Sequence, residues 1–543
     1  MHSYAVEEFT EEEATILRRY FTNLESPVFA LVNLPEVVKG ALFARYSRST
    51  KSLRRLFLDE FIGDLDLTGD IGIDATIGLD KAESLYEKIF FEYGDDSVAQ
   101  LGGVHLACEQ ASNVLTKVLE WGRLMSYLEQ STRYLGYDKR LSNGHYRYYR
   151  DHEVTMSSFG ARYVGEMDRM FDTYAELLPQ LVEFLTKKFP KTAEDTDFVY
   201  RQAIRAKALD AVRGLLPASA ISNLGIYASG QAYESLLLRM RAHPLPEVRD
   251  YSKLMMDELV KVIPSFLKRV NIAERGVAWT TYLAETKGAT KDLIASMWND
   301  IEAEPGERVR LAAYDKDGEA KILEAIVFAN STMSQEEASK RVGVMNAADR
   351  SKLIATYVGD RKNRRHRPGR AFESTMYRFE LVTDYGAFRD LQRHRLLTIE
   401  WQPLTVELGF DVPDIIEEAG LTEPFVTSLE RSASLYYDMR EQFPEQAQYC
   451  VALAFRIRYV MEMNAREAMH LIELRSGPQG HPSYRRVAHE MARLIRDEAG
   501  HAAIADSMSY VDFSDTYLER LEAERNAERK RSNTLKIPNT WIF

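Results

Sequence analysis

Cysteine is nearly missing from this 543-residue chain: only Cys108 and Cys450 occur, far apart and in apolar surroundings. That scarcity excludes a disulfide framework and a cysteine-rich zinc site, and it fits a reducing compartment. No apolar run of about 18 residues occurs, so no membrane-spanning helix is expected. The N-terminal stretch MHSYAVEEFTEEEATILRRY lacks the basic n-region and apolar h-region of a secretory signal, so a cytoplasmic location is expected. Basic charge is in deficit, with 70 Lys and Arg against 82 Asp and Glu and a net charge of −12. The balance argues against a nucleic-acid coat while leaving local Arg clusters free to hold phosphate. What is present, 45% hydrophobic residues on a long chain, suffices for about two or three domain cores.

Amphipathic stretches dominate. In EQASNVLTKVLEWGRLMSYLEQ, apolar Val114, Leu115, Val118, Trp121, Met125 and Leu128 recur at steps of three and four, which predicts a helix with one buried face. The same spacing predicts helices near 154–189, 246–270, 424–440 and 452–474. Strand signals are fewer: SPVFALVNL near the start, RVRLAAYD near Arg308, and STMYRFELVTD at 374–384. The expected class is α+β with helix in excess.

Self-similarity adds an organising principle. FALVNL followed by EVVKGALFARYS, within 28–59, has its counterpart in VRLAAYD followed by ILEAIVFANS at 308–331. Each half then carries an Arg-bearing helix, at 121–134 and 393–406, and closes with a helix running into a His-Pro turn, at 234–251 and 467–486. Two diverged copies of one helix-rich domain with a small sheet are expected, at 28–275 and 305–515, with a linker at 276–304 and a tail at 516–543. The sequence EAEPGER supplies Pro-Gly punctuation to that linker.

Several clusters carry possible chemistry. Glu129, Ser131, Arg133 and Tyr134 lie just beyond Arg123 and Ser126, which are one helical turn apart. Arginines, hydroxyl and carboxylate in one place suit a phosphorylated, hydrogen-bonding ligand; the same set also reads as a helix end with a solvated Arg–Glu pair. Arg393, His394 and Arg395 fan out over nearly a turn, so at least one side chain points inward, toward either an anion or an interfacial ion-pair network. Asn464, Arg466, His470 and Arg475 form a polar stripe on one apolar helix, a ligand site or a hydrogen-bonded core edge. RKNRRHRPGR at 361–370 holds five Arg and one Lys, which reads as a solvated loop or as a nucleic-acid- or anion-binding arm, and it lacks the aromatics of a sequence-specific single-strand binder. Two Glu-x-x-His pairs, Glu467/His470 and Glu498/His501, keep a di-iron carboxylate reading open, although two further Glu residues would have to converge on them.

WGRLMSYLEQSTRY resembles the signature of flavin-dependent thymidylate synthases: Arg-His-Arg, seven residues, Ser-x-Arg, often then Tyr. Arg123, Ser131, Arg133 and Tyr134 keep the spacing, while Trp121 and Gly122 replace the first Arg and the His. The second copy has the reverse pattern, with Arg393-His394-Arg395 intact and Pro403 and Thr405 where the family has Ser and Arg. ALFARYSRS resembles the family's first helix with its flavin-contacting Ser at Ser47. YGDDSVAQL stands in the family's flavin segment with Ser97 kept, Asp95 for the His and Gln100 for the Glu, and RPGRAFES in the second copy keeps Glu373. An Arg-x-x-Leu-Pro element runs from Arg213 to Pro217, with Gln448 at that Arg's place in the second copy. Asn464, Arg466, Leu474 and Arg475 match another family motif, of which the first copy keeps Arg239.

The resemblance implies a reaction and a division of labour. A bound FAD, with NADPH as reductant, transfers the methylene carbon of methylenetetrahydrofolate to C5 of dUMP, and no metal is required. Catalysis would fall to Glu129, Ser131 and Arg133, and nucleotide binding to Arg123, Tyr134, Arg213, Arg239 and Arg475. Ser47, Ser97, Arg393, His394, Arg395, Asn464, Arg466 and His470 would hold flavin. Family members are tetramers with sites built from several subunits, so a homodimer forming a pseudo-tetramer of repeats is implied; nucleic acid and membrane are not expected partners. A divergent flavin- or nucleotide-binding relative without synthase activity is the alternative.

Overall fold

A computed structural model describes residues 4, 7–34, 38–39, 42–43, 46, 49–61, 100, 102–193, 195–298, 304–514, 518, 521 and 525. Ser47, Asp95 and Ser97 lie outside the described residues, as does nearly all of the tail expected at 516–543.

The described strands form two antiparallel four-stranded sheets. Strands β1 Val28–Leu31, β2 Gly103–Ser112, β3 Met125–Glu129 and β4 Ile221–Ser229 take the order β1-β2-β4-β3. Strands β5 Val309–Tyr314, β6 Met376–Asp384, β7 Thr398–Trp401 and β8 Arg456–Asn464 take the order β5-β6-β8-β7. In each sheet the second strand runs directly into a short helix, α1 Asn113–Leu119 and its counterpart, and a turn leads on to the third strand. The fourth strand of the first sheet is followed by α2 Gly230–Arg241 and α3 Pro246–Leu259. In the second sheet the matching helices are α4 Tyr385–Leu391 after β6, then α5 Ala465–Arg475 and α6 Pro482–Asp497 after β8. The same order in both sheets is the signature of a duplicated domain.

The three strand expectations appear as β1, β5 and β6. The single helix expected over 109–130 does not form: Ser112 caps α1, which ends at Leu119, and Met125–Glu129 is strand β3. Met125 and Leu128 had completed a helical spacing by coincidence. Likewise 393–406 is a turn followed by β7, and 452–464 is mostly β8. In β8 the buried Ile457, Tyr459, Met461 and Met463 alternate with more exposed Arg456, Arg458, Val460 and Glu462, the period of two that a one-sided strand requires. The expected linker contains a 20-residue helix, Ala278–Met297, with no buried residue.

The chain divides into two compact units: residues 1–175, 215–302 and 427–452 form the first, and 176–214, 303–426 and 453–543 the second. Neither unit follows sequence order, because each takes a stretch from the other repeat. In the second unit, the Ala454 amide donates to the Gly214 carbonyl at 3.0 Å, and a Cβ at Gly214 would lie 3.1 Å from Ala454 Cβ and 3.2 Å from the Phe425 ring. The core of the first unit gathers Phe21, Phe29, Leu42, Phe43, Tyr46, Leu53 and Phe57. That of the second includes Tyr377, Phe379, Leu381 and Tyr459, with the Phe388 and Tyr459 rings 4.9 Å apart. Burying each such side chain contributes about 1.5–3 kcal/mol.

The helix caps differ between the repeats in an informative way. Ser112 Oγ accepts from the Leu115 amide to cap α1, and Asp384 Oδ1 accepts from the Ala387 amide to cap α4. Opposite each cap stands the residue after the opening proline of the later helix, Glu247 in α3 and Ser483 in α6. Glu247 accepts from the Ser112 amide at 2.9 Å, Ser112 Oγ at 2.6 Å and Tyr449 Oη at 2.8 Å; Ser483 Oγ donates to Asp384. Carboxylate and hydroxyl have exchanged places. Burial pushes Glu247 up to about 7 from its ordinary 4.5. A raised carboxyl means that the folded chain binds this proton more tightly than the unfolded chain, so stability is greatest below about pH 4.5 and falls as pH rises through 7. The loss amounts to about 3 kcal/mol. Thermal melts from pH 5 to 8 should show this slope, and Glu247→Gln should flatten it; an unchanged slope would show that other groups cause it.

Candidate functional site

In the second unit, α4 ends at Leu391 and the chain turns before β7, which drives His394 inward while Arg393 and Arg395 remain exposed. His394 meets two residues of α5. Its Nδ1 lies 3.0 Å from Glu467 Oε1, and Arg475 Nε donates to its Nε2 at 3.0 Å. Helical side chains lean toward their own N-terminus, so Arg475 reaches back along the face that carries Glu467. Since Nε2 accepts from an arginine, the ring proton sits on Nδ1 and points at the Glu467 carboxylate. Burial, with Arg475, His470 and Arg367 nearby, holds His394 well below its ordinary range and therefore neutral. Burial also pushes Glu467 up to about 7.

Arg475 makes a second attachment. Its Nη1 lies 3.8 Å from Asp390 Oδ1, while Arg213 Nη1 lies 3.5 Å from Asp390 Oδ2. One carboxylate on α4 thus spans the buried guanidinium of Arg213 and the half-buried one of Arg475, 262 residues apart in the chain. Arg213 Nη2 is buried without a hydrogen-bond partner, and Arg213 lines a cavity of about 120 Å³ with Lys207, Asp384, His481, Ser483 and Arg486. Sequence reading missed Asp390; its only signal was an acid three residues ahead of Arg393.

The run at 361–370 is split by the fold. Arg361 is buried in a two-pronged ion pair with Glu473, both contacts 2.6 Å. Arg367 Nη2 lies 2.9 Å from His470 Nδ1, and Arg466 Nε donates to the Pro368 carbonyl at 2.9 Å. Burial and the cations Arg367, Arg364, Arg475 and Arg466 bring His470 down to about 4. Asn464 caps α5, accepting from the Glu467 amide at 2.9 Å. This side of the unit is a concentrated positive field.

The remaining sequence candidates lie in the first unit. Glu129 is buried and paired with Lys117 at 3.5 Å. Ser131 Oγ accepts from the Arg133 amide at 3.2 Å; Arg133 is buried, and Arg123 and Tyr134 are exposed. Where the second repeat has His394, the first has Gly122, whose added Cβ would lie 2.7 Å from both Met125 Sδ and Tyr127 Oη. No histidine fits there without moving them. Trp121, at the place of Arg393, instead packs under Arg239, whose guanidinium carbon is 3.9 Å from the ring centroid. Burial lowers Arg239 to about 10.

Metal binding has one candidate among the described residues: His394, Glu467 and His470, with donor atoms within 4.8 Å of one another. A cation does not fit. Both nitrogens of His394 are engaged, His470 faces Arg367, and the surrounding guanidinium groups repel positive charge. Glu498 and His501 do not join the cluster, since His501 is buried against the Tyr377 hydroxyl at 2.7 Å. The convergence of carboxylates that a di-iron core requires is thus not found among the described residues.

Duplicated sheets, paired helices and a cationic site motivate comparison with known proteins. The model of the family described as thymidylate synthase complementing protein matches residues 46–265 and again 310–499. The chain belongs to this family. It carries two copies of the domain of these flavin-dependent thymidylate synthases. A UPF0159 protein of Chlamydia muridarum is 39% identical over 523 residues, covering 95% of this chain and 98% of that protein. One from Chlamydia pneumoniae is 37% identical, covering 96% and 98%. One from Thermoplasma acidophilum is 33% identical, covering 90% and 97%. No helix among the described residues is long and apolar enough to cross a membrane.

Proposed function

We propose that this family member is a thymidylate synthase that methylates dUMP to dTMP, taking its carbon from methylenetetrahydrofolate and its electrons from NADPH through bound FAD. The observation that carries the reading is the convergence of Arg213 and Arg475 on Asp390, with an unpartnered Arg213 nitrogen beside a cavity. Paired guanidinium groups suit a nucleotide, one at the phosphate and one at the uracil carbonyls, where negative charge builds as C5 becomes nucleophilic. Arg213 would take the phosphate and Arg475 the ring. In the first unit, Ser131, Arg133 and Glu129, with Arg123, Tyr134 and Arg239, would be that repeat's own contacts to nucleotide.

The cationic side of the second unit fits a dinucleotide cofactor, because the field that lowers His470 is what a diphosphate requires. Arg393, Arg395 and Arg466 would hold it, with His470 beside them. When bound, the flavin supplies the redox chemistry of the transfer. The same reading has the chain act in the cytoplasm as a homodimer, which light scattering checks.

The absorption spectrum of the purified protein, before and after adding FAD and then dUMP, tests the proposal. Bound flavin whose spectrum shifts with dUMP is the expected result. A colourless protein that takes up no flavin overturns it.

A further inference from the structure

We propose that Glu467 and His394 form a buried relay whose purpose is to fix the guanidinium of Arg475, making both of them positioning residues for the nucleotide. This rests on the reading that Arg475 meets the uracil ring. His394 sits in the Arg-His-Arg motif, where the family resemblance assigns it to flavin, yet the geometry turns its ring the other way. Neither ring nitrogen is left for a ligand: Nδ1 faces Glu467 Oε1 at 3.0 Å and Nε2 accepts from Arg475 Nε at 3.0 Å. The side chains of His394 and Glu467 are 3% and 4% exposed, too deep to be a surface contact.

The relay has one working polarity. An ionised Glu467 accepts from Nδ1–H, which leaves the Nε2 lone pair for Arg475. If Glu467 is protonated and donates to Nδ1, the ring proton must move to Nε2, where it opposes the Arg475 N–H, and the lock opens. The charged and titratable groups facing the relay are Arg466, His470 and Arg475 on α5, Arg364 and Arg367 on the preceding loop, Arg393 and Arg395 on the turn, Asp390 on α4, and Tyr484 on α6, which also hydrogen-bonds Arg475. The cations favour ionised Glu467, and burial opposes them, placing it at about 7. As pH falls through 7, Arg475 should lose its hold and nucleotide binding should weaken.

Three measurements on the full chain test the relay. Nitrogen-15 NMR of the His394 ring at pH 8 should show the Nδ1–H tautomer, and an Nε2–H ring overturns the proposal whether or not a ligand binds. Glu467→Leu, which removes the acceptor, should raise the dUMP dissociation constant about tenfold or more with flavin per chain unchanged. Glu467→Gln keeps an acceptor without the charge, so it should restore much of that affinity while abolishing the pH dependence between pH 6 and 8. Loss of flavin in the Leu variant, or wild-type nucleotide affinity and pH profile in both variants, would sink the relay. A wild-type chain that binds flavin but no dUMP removes the functional reading instead, and the tautomer then decides the relay alone.

Discussion

Arg475→Ala is expected to lower kcat/KM for dUMP by roughly a hundred- to a thousandfold, the usual cost of removing a preorganised donor from developing negative charge. The guanidinium is held at Nε by His394 and at Nη1 by Asp390, so it need not be reoriented as charge builds on the ring. Its surroundings are largely dry, with burial itself lowering the arginine from its ordinary range, and in such a site a fixed charge acts more strongly than in water. Arg475→Lys should fare little better, because an ammonium cannot donate to His394 and project a second donor in the same plane. Flavin content should be retained in both variants. Steady-state kinetics beside flavin absorbance checks this; normal turnover in Arg475→Ala would remove the residue from the chemistry.

Arg361→Ala should cost about 3–5 kcal/mol of stability in the second unit, because it strands a buried carboxylate. Arg361 and Glu473 have side chains 3% and 1% exposed and face each other through both prongs. The same guanidinium donates to the Ser507 carbonyl at 2.8 Å and the His366 carbonyl at 2.6 Å, and Glu473 also accepts from the Tyr510 amide at 3.2 Å. One ion pair therefore pins the basic loop, helix α5 and the stretch near 507–510 together. Replacing both partners, as Arg361→Met with Glu473→Leu, should recover most of the loss, since no charge is then buried alone. Local hydrogen exchange of α5 and the 361–370 loop reads the effect without assuming that the whole chain unfolds in one step. A double variant no more stable than the singles would show that the surrounding carbonyls, rather than the stranded charge, set the cost.

The basic loop also shows how far sequence reading reaches. Five arginines and a lysine in ten residues mark a solvated loop or a binding arm, but nothing in their order marks Arg361 as the one that is buried. Strands β1, β5 and β6 were legible because their alternating or β-branched residues have no helical rival. Strand β3 was not, since Met125 and Leu128 extend the stripe of α1 by chance and the break depends on where the chain turns at Gly122. The inward member of Arg393-His394-Arg395 could be foreseen in number but not in identity: a neutral imidazole is far cheaper to bury than either neighbouring guanidinium.

By itself the sequence determined that the chain is built from two copies of one domain, and which arginines each copy retains, because element order and motif spacing are local properties. Tertiary structure alone decided that Arg213 and Arg475 meet at one carboxylate. That outcome follows from the packing of 176–214 within the second unit, and from the half-buried carboxylate of Asp390, within reach of both guanidinium groups. A charge removed from water must find its partner wherever the fold places it, and no local pattern records that distance.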